Sequence, residues 1–380
     1  MRLLFFGTYD ASAHPRVAVL RDGLRALGEQ RGPAAPVVRE CNVALGLSTA
    51  ERVGMLANPV LLPRLAWRVA RCWWRLIQSS ARYRRPGQRP DAVVVGYLGH
   101  FDVLLARRLF PDVPVVLDHL VGASDTATDR GVPAGLRQRL LRALDEAALG
   151  AADIVVVDTD EHRDALPPAA RRRAVVVAVG APREWYAARR PDQEEAEALR
   201  VIFFGLFTPL QGTPVIGAAL AALAGDPIEA TMVGTGQDHA ETRRLAAPNP
   251  RVRWLDWVSP GELPALVAKH DVCLGIFGTG GKAARVVPNK IFQGAATGAA
   301  LVTADTPPQR RVLGAAAVLV PPGDPQALAD ALRSLAWDRE WLAKVRAAAR
   351  TLADEHFTPE RVVEPLHAVL RSHIAPEARA

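Results

Sequence analysis

Short β-prone, mostly apolar stretches recur along the chain, most closed by a turn signal or followed by residues whose apolar positions repeat at helical spacing. They fall at residues 2–6, 92–97, 113–117, 153–157 and 174–179, and again at 201–204, 228–233, 252–254, 272–277, 300–303 and 317–320. The continuous apolar runs at 92–97, 113–117 and 153–157 suit central strands covered on both faces, as in a parallel sheet flanked by helices. A helix is expected at 16–27, where Val17, Leu20, Leu24 and Leu27 share a face and Gly28 offers a C-cap. Further helices are expected at 101–109, 134–149, 214–223 and 263–269, in the alanine-rich stretch from 324 to about 354, and at 359–372. Between residues 181 and 199 the pattern fails: Pro and Arg give way to Asp192, Glu194, Glu195 and Glu197, which reads as an interdomain linker. The strand–turn–helix order then resumes. The chain therefore reads as α/β, two doubly wound domains without a shared sequence period.

Residues 61–85 follow a different pattern. On a helical projection Arg64, Arg68, Arg71, Arg75 and Arg82 gather on one side, with Leu65, Val69, Cys72, Trp73, Leu76 and Ile77 opposite and Trp67 and Trp74 at the margin. Such a helix fits an anionic membrane surface, and it equally fits a helix packed on a sheet with a solvated basic face.

Composition narrows the class. With 380 residues, 49% hydrophobic and 23% charged, the chain can bury two cores and is not disordered. A net charge of +7, mostly arginine, admits phosphorylated ligands, anionic membranes or nucleic acid. No nucleic-acid motif or stacking platform accompanies it, so nucleic acid is not expected as a partner. Cys41, Cys72 and Cys273 are odd in number and scattered, which suits a reducing compartment; the short run at 2–6 reads as a strand and not a signal peptide, and no run is long enough to span a membrane. A cytoplasmic protein, peripheral at most, is expected.

The stretch richest in chemistry is 271–305. An apolar strand enters a loop with Gly278, Gly280 and Gly281, then Lys282, Arg285 and Lys290, and Pro288-Asn289 opens a helix stopped by Gly298. Loop and helix start both suit an anion, and Lys290 and Gln293 share a helix face. In the first half, Gly7, Tyr9, His14 and Arg16 follow the opening strand at the edge where doubly wound sheets bind ligands. Asp118 and His119 end another strand, ahead of a polar loop with Ser124, Asp125, Thr126, Asp129 and Arg130; His119 fits a site or a satisfied structural role. Asp158-Thr159-Asp160 has the look of a metal-binding pair, but Asp160 as a helix cap accounts for it without a metal.

Phe203-Phe204-Gly205-Leu206-Phe207-Thr208-Pro209-Leu210-Gln211-Gly212, together with Val233-Gly234-Thr235-Gly236 and the stretch from Lys282 to Asp305, resembles the donor domain of GT-B glycosyltransferases, family 4 in particular. His14-Pro15-Arg16 and Val179-Gly180-Ala181 extend the resemblance over nearly the whole chain. It implies two Rossmann-like domains facing across a cleft: an acceptor-side domain at 1–185, a linker at 186–199, a donor domain at 200–355, and a C-terminal helix at 356–380 returning to the first domain. It also implies a retaining transfer from a nucleoside-diphosphate sugar to a glycan, lipid-linked or natural-product acceptor, with no cofactor and no metal. A nucleotide-sugar epimerase, or a sugar-nucleotide binder that has lost catalysis, is the alternative on the same fold.

Where the family has an Arg and a Lys around the first glycine loop, this chain has Leu206 and Gln211; the family's paired Glu fall on Arg285 and Gln293. The diphosphate is therefore expected against Lys282, Arg285 and Lys290, with Gly205 and Gly212 in the loop. The nucleoside is expected near Gln293, Asn289, Gly234, Thr235 and Gly236. His119, with Asp118 beside it, matches the family's first-domain histidine near the reacting centre. Gly7, Tyr9, His14 and Arg16 are left for the acceptor side.

Overall fold

The computed structural model describes residues 1–10, 15–30, 36–47, 55, 59–120, 122–125, 135–189 and 197–374. It divides into two compact units, Met1–Ala178 with Pro359–Ala380, and Val179–Thr358. The break thus falls just after the strand at Ala174–Val176. Much of the stretch expected as a linker, 190–196, lies outside the described residues. Just before it Arg183–Ala187 is a helix, with Trp185 buried and stacked on Phe204 at 5.6 Å between ring centres.

In the first unit the strands are β1 (Arg2–Gly7), β2 (Val37–Asn42), β3 (Ala92–Val95), β4 (Val115–Asp118), β5 (Ile154–Val157) and β6 (Ala174–Val176), all parallel in the order β2-β1-β3-β4-β5-β6. Alternate residues serve opposite layers, as a pleat requires. Leu4, Phe6, Val93, Val95, Val115 and Val155 join one apolar cluster; Leu3, Phe5, Ala92, Val94, Val116 and Val156 join the other. The second cluster is closed by Val362, Leu366 and Leu370 from the C-terminal helices Pro359–Val362 and Glu364–Ile374 and by Val363 between them.

Helix α1 (Pro15–Gln30) does not stop at Gly28 as its composition suggested. A Cβ there would lie 2.7 Å from the Pro36 carbonyl oxygen, so that glycine answers a close approach of backbone and not a helix end. Edge strand β2 has no apolar run, because an edge is partly solvated and carries Arg39 and Glu40. Helix α2 (Leu62–Ser80) forms where the arginine stripe lies. It buries Leu65 and Leu76 and leaves Trp67 and Trp74 about 60% exposed. Helices α3 (Asp102–Leu109) and α4 (Leu136–Ala151) follow. In α5 (Asp160–Ala165) the cap is Thr159, whose hydroxyl accepts from His162 N; Asp160 is inside the helix, contrary to the sequence reading.

The second unit carries β7 (Leu199–Phe204), β8 (Ile228–Val233), β9 (Val252–Leu255), β10 (Val272–Leu274), β11 (Ala300–Ala304) and β12 (Val318–Val320), parallel in the order β12-β11-β10-β7-β8-β9. This is the order of a dinucleotide-binding domain. Leu199, Val201, Phe203, Leu220, Leu274, Val302, Leu332 and Val345 are buried in one cluster, each such side chain contributing about 1.5–3 kcal/mol. Strand β10 ends earlier than its apolar run, because Phe277 N turns away to donate to Gln211 O at 3.0 Å.

Candidate functional site

The strand order of the second unit reverses between β7 and β10. Ligands of open α/β sheets bind beyond the carboxyl ends of the strands at such a reversal. Three loops meet there. Gly205 N donates to Val233 O at 3.0 Å, Phe207 N to Thr235 O at 3.0 Å, and Phe277 N to Gln211 O at 3.0 Å. Gly234, at φ +122°, permits this: a Cβ would lie 2.0 Å from Gly205 O. Gly212, at φ +63°, precedes helix α6 (Thr213–Ala222) and passes Gly278 N where a Cβ would come to 2.4 Å. Tight glycine contacts thus fix the floor of the reversal.

Lys290 reaches into this floor from the first turn of helix α7 (Asn289–Thr297), whose helix end at Gly298 is as expected. It is 5% exposed. Its ammonium donates to Gln211 Oε1, lies 3.9 Å from the centre of the Phe203 ring, and would be 3.3 Å from a Cβ on Gly205. No carboxylate pairs with it among the described residues. Burial therefore pushes its pKa down to about 7. A buried cation without an acid, at the point where this sheet type binds ligands, has the chemistry to serve as counter-ion to an anion.

The remaining donor-side residues divide. Gln293, 5% exposed, follows Lys290 by three residues on the same helix; Asn289 is exposed at its start, and Thr235 and Gly236 are exposed on the loop after β8. Lys282 and Arg285 lie on a separate turn, with Arg285 Nε donating to Gly281 O at 3.1 Å. Gln211, in place of the family's lysine, and Phe203, in strand β7, both hold Lys290, through contacts that no sequence spacing reveals.

In the first unit Asp118 ends β4 and His119 follows it, both buried. The His119 ring meets the His100 ring edge-on at 5.4 Å, and its Nδ1 has no partner among the described residues. Burial and the neighbouring His100 push its pKa down to about 4, so it is neutral at physiological pH. His100 Nε2 is 3.2 Å from Asp145 Oδ1, off the line of a hydrogen bond. Burial opposes the charge of Asp145, but His100 and bonds from Ser124 and Ala123 outweigh it and hold the carboxyl down at about 2. Those bonds also fix Ser124; Thr126, Asp129 and Arg130 lie outside the described residues. For Asp118 burial raises the pKa against the pull of Arg16, and its Oδ2 is unpaired.

Two acceptor-side expectations are corrected. Arg16 is 2% exposed, and its guanidinium bonds to Val177 O, Ala178 O and Asp118 Oδ1, so it ties α1 to β6 and β4 and offers nothing to a ligand. Tyr9 is equally buried and its hydroxyl donates to Glu40 at 2.7 Å; burial and that carboxylate raise its pKa. Beside Gly7, Thr8 N and Oγ1 both donate to Asp102, so that turn is structural. His14 lies outside the described residues.

Residues 198–338 match the family model described as Glycosyl transferases group 1. The matched stretch lies within the second unit. Among solved structures, the chain is similar to HepE from Anabaena with UDP-glucose (16% identity, TM-score 0.66, covering 98% of this chain and 100% of that one). It is similar also to sucrose-phosphate synthase from Thermosynechococcus elongatus (15%, TM-score 0.68, 99% and 100%). A third likeness is to a Listeria monocytogenes protein described as a UDP-N-acetylglucosamine 2-epimerase (13%, TM-score 0.53, 100% and 97%). At these identities the likeness is one of fold, two Rossmann-like α/β domains in one chain. No curated protein sequence matches the chain.

Proposed function

We propose that the group 1 glycosyltransferase domain takes a nucleoside-diphosphate sugar and that the chain transfers the sugar, with retention, to an acceptor held by the first unit. The observation that carries this reading is Lys290, a buried ammonium without a carboxylate at the reversal of the second sheet. A diphosphate placed there supplies the missing anion. As the sugar leaves, charge grows on the departing phosphate, and a preplaced cation in a dry site stabilises it more than water does. Similarity to HepE with UDP-glucose supports a nucleotide sugar as the class of donor.

On this reading Arg285 and Lys282 hold the far phosphate, Gln293 and Asn289 meet the ribose, and neutral His119 serves the transfer step from the first unit, its Nδ1 without a partner among the described residues. The departing phosphate takes the acceptor's proton, so His119 positions and need not act as a base. No metal is required, since the cations neutralise the diphosphate. A lipid-linked acceptor at the cytoplasmic face belongs to the same reading; exposed Trp67 and Trp74 beside Arg64, Arg71 and Arg75 on α2, which suit an anionic bilayer surface, support it.

Purified protein incubated with a panel of nucleoside-diphosphate sugars tests the reading. Donor hydrolysis or transfer is expected from wild type and is expected to be lost in Lys290→Ala and Arg285→Ala. Unchanged binding and turnover in both variants would reject the site. Epimerisation of the donor with no acceptor present would move the assignment to the epimerase class.

A further inference from the structure

The opposite end of the second sheet, where β7, β8 and β9 begin, holds a cavity of about 690 Å³. Helix α8 (Leu263–Val267) is five residues long and contributes Leu266 to the cavity wall. Parallel register places the floor. Arg200 stands opposite Glu229 and Thr231 opposite Arg253; the same register, with Ala230 opposite Val252, sets Glu229 beside Arg251. Lys269, just past α8, completes the rim.

These cations are not equivalent. Arg200 is bound to Asp271 at 2.9 Å and Arg251 donates to Asp226 O. Arg253 and Lys269 are exposed and have no partner among the described residues. His270 is 8% exposed, with Nε2 and Nδ1 at 2.9 Å from Thr231 Oγ1 and Leu266 O, and burial together with Arg200 and Arg253 keeps it from taking a further charge. Glu229 is the only carboxylate lining the cavity.

We propose that this cavity is a second ligand site, for a small phosphorylated molecule that also carries hydroxyl groups, with Arg253 and Lys269 on the phosphate and Glu229 accepting from the hydroxyls. The volume is that of a small-molecule pocket. A continuous polyanion, a nucleic-acid strand or a lipid surface, would bring a row of phosphates past Glu229 and be repelled there. A sugar phosphate uses both halves: guanidinium and ammonium for the dianion, carboxylate for a vicinal diol. The site lies at the amino ends of the strands, whereas Lys290 and the glycine loops lie at their carboxyl ends, so the two can be occupied independently.

Calorimetric titration of the full chain with glucose 1-phosphate and with inorganic phosphate tests this. Saturable binding of glucose 1-phosphate is expected in wild type and in Lys290→Ala, and at least about tenfold weaker binding in the Arg253→Ser/Lys269→Ser double variant. Both positions are exposed, so the double variant keeps the thermal midpoint of wild type. Glu229→Gln is expected to tighten inorganic phosphate while loosening glucose 1-phosphate. Absence of saturable binding at millimolar ligand, binding indifferent to Arg253 and Lys269, or loss of binding in Lys290→Ala would each overturn the proposal, the last by assigning the ligand to the glycine loops.

Discussion

The ammonium of Lys290 lies 3.9 Å from the centre of the Phe203 ring, so a charge from one helix is seated on the π-face of the strand that opens the second sheet. That contact, with the bond to Gln211, offsets only part of the cost of burial. Lys290→Met removes the charge and keeps the stem. It is expected to raise folding stability by about 1–3 kcal/mol in denaturant melts and to weaken nucleotide-sugar binding about 30-fold or more. A variant that loses both stability and binding would make Lys290 structural.

His119 carries a pH signature. The unfolded chain protonates this ring near its ordinary value of 6.5 and the folded chain only near about 4. Its contribution to stability is therefore whole above 6.5 and is lost as pH falls towards 4. Thermal melts across that window are expected to show a shallower acid slope in His119→Gln than in wild type. The same variant should bind the donor normally and lose most transfer.

Gly234 tests the loop geometry. At φ +122°, with a Cβ only 2.0 Å from Gly205 O, Gly234→Ala must displace the loop after β7. A loss of about 1–3 kcal/mol in stability is expected, with donor binding reduced beyond what that loss explains.

The arginine stripe of α2 is tested with vesicles. Wild type is expected to float with liposomes rich in anionic lipid and to be released by salt, whereas a variant with Arg64, Arg68, Arg71 and Arg75 changed to Gln stays in the aqueous fraction. Equal partition of the two would leave α2 as a solvated helix.

Most of the fold was legible because parallel strands buried on both faces leave unbroken apolar runs, and the helix of Lys290 is bounded by Pro288 and Gly298 as read. Strand β2 was invisible for the converse reason: an edge needs no such run. In the site, a lysine and a glutamine at helical spacing could be placed on one face, but the seat of the ammonium depends on Phe203 and Gln211, which are remote in sequence. Arg16 misled because a basic residue after a strand looks the same whether it meets a ligand or, as here, the backbone carbonyls of Val177 and Ala178. Burial decides between these, and burial of one side chain is not written in spacing.

The most direct measurement is donor affinity against pH. Free Lys290 titrates at about 7, and a bound diphosphate would hold it charged. Nucleoside-diphosphate sugars have no phosphate pKa near neutrality, so titrations from about pH 6 to about pH 9 report the protein alone. Constant affinity is expected below 7, with a fall approaching about tenfold per pH unit above it and proton uptake on binding when buffers of different ionisation enthalpy are compared. Affinity independent of pH through this range, or a pH dependence retained by Lys290→Ala, would contradict it.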